Sequence, residues 1–155
     1  MERYFRINGR PYTESDIEHI SSLEAKKLGM SDISSAHWDG YNKMISLQGT
    51  KDGKPFAKWL QPWDLTDYDI PSRSGQKPVY QNSKAVYYQD ELEEFAKFVA
   101  IYTMRAKYIK FEISSTDNSI VVFYKNKGSL LTNKIKYPMY DVEKFLVKEH
   151  TRVCY

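Results

Sequence analysis

Basic side chains crowd the stretch between Lys97 and Lys136. Eight of them (Lys97, Arg105, Lys107, Lys110, Lys125, Lys127, Lys134 and Lys136) stand against two acids, Glu112 and Asp117, leaving +6. The whole chain carries +3, so the remainder is −3. Ammonium groups neutralise phosphates and phenol rings stack on bases, so this composition has a definite chemistry to offer. Alternation predicts a strand with Tyr108, Lys110 and Glu112 on one face and Ile109, Phe111 and Ile113 on the other. A sheet displaying Lys107, Tyr108, Lys110, Tyr124, Lys125, Lys127, Lys134 and Lys136 would hold nucleic acid, single-stranded or duplex, by its backbone. The same lysines would equally suit a solvated sheet face, where they discourage edge pairing.

The other concentration is acidic and aromatic. Asp64, Asp67 and Asp69 lie close together with Tyr68 among them, Trp63 directly ahead of them and Trp59 shortly before that. Carboxylates at this density suit a hard cation, yet the spacing lacks the glycine and terminal glutamate of an EF-hand loop. A solvated acidic loop or a docking surface for a basic partner fits better, with Trp59, Trp63 and Tyr68 as its rings. A metal-dependent nuclease would need one of these acids beside Lys110 and Glu112, which stand in Lys-x-Glu order, the reverse of the usual one. His19, His37 and His150 do not cluster, and Cys154 has no base beside it. Phosphate-cradling glycine loops, nucleophile elbows and dinucleotide fingerprints are all missing. The chain reads as a binder more than an enzyme, with no cofactor.

Residues Ser22 to Trp38 resemble a DNA-binding helix-turn-helix. Ala25 matches the small residue where the two helices touch, Gly29 the turn glycine, and Trp38 the apolar anchor of the recognition helix. The resemblance implies a short second helix, Asp32 to Trp38, entering the major groove. It departs from the pattern at Ser35, where the family has an apolar residue.

These residues need elements to carry them. Arg3 to Asn8 alternates as a strand, and Gly9-Arg10-Pro11 reads as a turn. Ser15 and Glu18 have the spacing of a capping box ahead of a helix that Gly29 ends. Strands follow over 44–47, 50–54 and 56–60, with Asp52-Gly53 marking a hairpin whose loop looks longer than two residues. The stretch 61–78, with Pro62, Pro71 and Pro78, has no period and reads as a long connection. A helix opens at Asp90–Glu94, its buried stripe drawn from Leu92, Phe95, Phe98 or Val99, and Tyr102. Three strands then form a meander over 108–137, and Asp141 caps a last helix with Val142, Phe145 and Leu146 inward. This predicts an α+β fold: an antiparallel sheet, comprising the meander and N-terminal strands, packed with about three helices. The 155 residues make one compact domain, with a two-lobe division at 61–78 as the alternative.

Composition narrows the classes. A 41% apolar and 28% charged chain is neither disordered nor membrane-spanning, and a single Cys excludes an internal disulfide framework. The charged N-terminal residues do not suit a signal peptide, which points to the cytoplasm. The expected partner is therefore nucleic acid or a protein that handles nucleic acid, and no membrane. In size and Tyr- and Lys-rich make-up the chain resembles accessory proteins of phages and mobile elements. That resemblance implies an inhibitor or modulator of host nucleic-acid machinery as the rival reading.

Overall fold

Apolar side chains gather into two separate cores, and the chain divides into a first unit running to Gln76 and a second, Lys77–Glu149. The computed structural model describes residues 4–151, with side chains to 148. The boundary falls inside the Pro-rich stretch. The fold is α+β with antiparallel sheets, including the C-terminal meander and an N-terminal hairpin.

In the first unit, β1 (Tyr4–Ile7) and β2 (Arg10–Thr13) pair antiparallel around Asn8 and Gly9, both at positive φ. Two such residues make the whole turn, so Arg10 and Pro11 are strand residues and not the turn expected of them. Helix α1 (Glu14–Leu28) starts two residues earlier than the expected Ser15–Glu18 box would allow. Thr13 and Asp16 cap each other's backbone, because Asp16 is buried and also accepts from Ser72 through both carboxylate oxygens. Gly29, at φ 78°, ends the helix in the left-handed conformation. Strands β3 (Asp32–Asp39), β4 (Met44–Lys51) and β5 (Lys54–Leu60) then form a meander in that order. Ile17, Ile20 and Ala25 of α1 share a core with Ile45, Leu47 and Leu60.

The segment Asp32–Trp38 is a strand, so there is no recognition helix and the helix-turn-helix resemblance fails. Ile33, Ser34 and Ser35 are weak helix formers, and pairing with β4 satisfies their backbone after the Ser31 amide donates to Thr50. The β4–β5 loop is only Asp52-Gly53, both at positive φ as a type I′ turn requires. Residues 61–76 are not a free connection. They form 3₁₀ turns at Pro62–Asp67 and Pro71–Arg73, bury Leu65 and Ile70 in the first core, and receive the Arg10 guanidinium on the carbonyls of Leu65 and Tyr68.

The second unit opens with the short pair β6 (Tyr80–Gln81) and β7 (Val86–Tyr87), then α2 (Gln89–Phe98), which runs on as a π-helical turn over Val99–Thr103. Strands β8 (Lys107–Ser114), β9 (Ser119–Lys125) and β10 (Thr132–Pro138) form the meander, with β9 central, and α3 (Met139–Thr151) follows. Leu92, Phe95, Ala96, Val99 and Ala100 pack with Ile120, Val122, Val142 and Leu146. Of the two alternatives Phe98 or Val99, Val99 is buried and Phe98 is exposed, whereas Tyr102 is exposed because the wider turn over 99–103 shifts the helical phase beyond it. Asp141 lies in the first turn of α3, two residues after its start, so it favours the helix dipole without being the cap.

Candidate nucleic-acid interface

The register of the second meander decides what its outward face displays. A bulge in β8 sets Tyr108 opposite Tyr124 but Lys110 opposite Phe123, leaving Ile109 as the extra residue. Tyr108, Phe111 and Ile113 therefore turn toward the core, while Ile109, 41% exposed, joins Lys110 and Glu112 outside. Across the strands the outward rows are Lys107–Lys125–Thr132, Lys110–Phe123–Lys134 and Glu112–Val121–Lys136. Five lysines thus share one face.

The two tyrosines expected beside them are on the other side. Tyr108 and Tyr124 pack against the second core, and burial raises the Tyr108 phenol above its usual pKa. For Tyr108 the bulge is the cause, a feature that strict alternation cannot anticipate. Tyr124 instead continues the inward series Ile120, Val122, a spacing readable from the sequence itself. The ring actually set among the lysines is Phe123, which sequence reasoning missed, with the Lys110 ammonium 4.9 Å from its centroid.

At one end of this face lies a cleft of about 440 Å³, lined by the cations Arg105, Lys107, Lys125 and Lys127. No carboxylate lines it, and none of the four cations is ion-paired among the described residues. Lys127 comes from the turn after β9, where Gly128 has φ 80°. Arg105 ends the π-helical turn at φ 51°, as the Ala106 amide donates to Ala100 and the Met104 amide to Val99. Glycine usually fills such a left-handed position, and a side chain there costs about 1 kcal/mol.

Elsewhere the charges are partly compensated. Lys110 pairs with Glu112 at 3.0 Å and Lys136 with Asp117 at 2.6 Å, both pairs exposed. Lys136, then Ser114 and Ser119, hold the Asp117 carboxyl well below the usual carboxylate range. Lys134 is exposed and has no ion pair among the described residues. Lys97 pairs with Glu93 at 2.8 Å and lies over the Tyr108 ring, outside the outward rows.

Trp59, Trp63 and Tyr68 belong to the first unit. Trp59 lies across β4 Ser46 from His37 and is 49% exposed, and Trp63 is 63% exposed on its 3₁₀ turn. Tyr68 is committed to packing: its hydroxyl donates to Glu24, and the Lys27 ammonium sits 4.7 Å from its ring centroid. Burial, followed by the Glu24 contact, raises the Tyr68 phenol. Asp64 caps its own turn by accepting from the Gln61 amide. Among the described residues no three His, Cys, Asp or Glu side chains gather where a metal could bind. His19 and His37 are exposed on α1 and β3, whereas the His150 side chain and Cys154 lie outside the described residues.

Comparison with known proteins brings no match, whether to a protein-family model, a curated protein or a solved structure.

Proposed function

We propose that the protein is a non-enzymatic binder of nucleic acid, which it holds by the phosphate backbone on the outward face of β8, β9 and β10. One observation carries the reading: Lys107, Lys110, Lys125, Lys134 and Lys136 share that face, and it runs into a cleft whose charged lining among the described residues is Arg105, Lys107, Lys125 and Lys127. Arg105, Lys107, Lys125, Lys127 and Lys134, which have no ion pair among the described residues, form the electrostatic set. Lys110 and Lys136 can exchange their exposed carboxylate partners for phosphates at little cost, since such surface pairs contribute roughly 0–1 kcal/mol. No helix among the described residues is long and apolar enough to cross a membrane. A cytoplasmic location accompanies the reading.

The test is fluorescence anisotropy with labelled single strands and duplexes across a salt series. Contact with about six phosphates gives a slope of log affinity on log salt near −5 for duplex. Substituting Lys125→Ala and Lys127→Ala together lowers the steepness by about one for each lost contact. Absence of binding at low salt, or affinity indifferent to salt, overturns the proposal.

A second reading, a protein-directed modulator of host nucleic-acid machinery, draws on Trp59 and Trp63, both substantially exposed. Truncating either ring to Ala would then abolish capture of one protein partner with little salt dependence.

A further inference from the structure

The loop that joins β9 to β10 exposes two adjacent leucines. Leu130 is 91% exposed and Leu131 75% exposed. The loop nevertheless has defined geometry. The Ser129 amide donates to the Asn126 carbonyl, Gly128 takes the left-handed conformation, and the Ser129 hydroxyl accepts from the Leu131 amide at 3.1 Å. Neither leucine belongs to either core of the fold. The same loop contributes Lys127, Gly128 and Ser129 to the cationic cleft. An apolar pair thus stands on a segment whose preceding residues are built to meet phosphates.

We infer that Leu130 and Leu131 form a wedge that enters a base step of duplex nucleic acid while Lys125, Lys127 and Lys107 hold the flanking phosphates. This deepens the nucleic-acid reading and rests on it. Aliphatic side chains inserted between base pairs unstack them and kink the helix, and phosphate contacts beside the wedge hold the bent form. Charge complementarity favours this occupant. The cations are not confined to the loop but continue down the sheet through Lys134 to Lys136, along a path an extended backbone can follow. An anionic bilayer docked on the loop tip would leave those distal lysines without a role.

The experiment uses the full chain and duplexes carrying 2-aminopurine, whose emission rises when it is unstacked. Scanning its position across the duplex should reveal a several-fold rise on protein binding, together with bending detected by end-to-end energy transfer. Leu130→Ala with Leu131→Ala should remove the emission rise and the bend while keeping the salt slope of binding. Unchanged melting of the variant would show that the fold is intact, as expected for exposed positions. Binding that leaves the bases stacked overturns the wedge but not the backbone-binding reading. Absence of duplex binding overturns the wedge, and absence of binding to single strands as well overturns both. Leucine-dependent capture by phosphatidylserine vesicles in preference to duplex would assign the loop to a membrane surface and also refute the wedge.

Discussion

The two three-stranded meanders are built alike inside and differently outside. Each has its middle strand bearing fully buried aliphatics, Ile45 and Leu47 in β4, Ile120 and Val122 in β9. Each first strand carries a bulge, between Ile33 and Ser35 in β3 and between Tyr108 and Lys110 in β8. The outward rows diverge. In the first unit they read His37–Ser46–Trp59 and Ser35–Gln48–Ala57, without a lysine. In the second they hold five lysines around Phe123 and Val121. A sheet of this design therefore does not require a cationic exterior to stay folded, and the second one's lysines call for an explanation beyond the fold.

That contrast can be broken most sharply at its structural end. A Cβ added at Gly49 would lie 2.1 Å from the Asp32 carbonyl oxygen and 2.9 Å from the Met30 side chain. Backbone cannot yield cheaply, so Gly49→Ala should destabilise the first unit by about 3 kcal/mol or more, read as a lower urea midpoint. An exposed outward substitution in the second sheet, Lys134→Ala, should stay within about 0.5 kcal/mol of wild type. Equal losses from the two would show that the lysine face is structural after all.

Next in size is the functional difference. Reversing charge with Lys125→Glu and Lys127→Glu should lower duplex affinity at low salt by about 100-fold, since two phosphate contacts become repulsions. Introducing Gln48→Glu and Ala57→Glu on the first sheet should change it only about two-fold. A comparable drop from both pairs would refute a localised interface.

The smallest effects sharpen the comparison by going the other way. Asp117→Asn removes the carboxylate that holds Lys136 and should raise duplex affinity about two- to three-fold. It should also alter acid behaviour. The Asp117 pKa is lowered in the folded chain, so its stabilising pair is present above the ordinary aspartate range and fades as pH falls through the depressed value. Wild type should lose that contribution on acidification and the Asn variant should have none to lose, which urea midpoints at neutral and acid pH would reveal. Arg105→Gly offers a complementary case. Relief of the left-handed strain should raise stability by about 1 kcal/mol, with loss of one cleft cation lowering affinity. If Arg105→Gly leaves affinity untouched, the arginine has no share in the cleft.

Much of this architecture is legible because it is local. Alternation and turn residues announce the second meander, and the Gly29 stop bounds α1. The charge of the C-terminal third is likewise countable. What was not legible depended on partners distant in sequence. Asp16, the N3 partner of the Thr13 cap, is also held by Ser72, and residues 32–38 became a strand because β4 offers a ladder.

Residue order alone determined that cations would be concentrated between Lys97 and Lys136 and that the three strands there would each bury one side. Tertiary structure decided which side. A one-residue bulge against β9 turned Tyr108 inward and sent Ile109 and Lys110 outward together. The physical reason is that side-chain direction in a strand has a period of two, so one unpaired residue reverses the parity of all that precede it. Only cross-strand pairing reveals where that reversal falls.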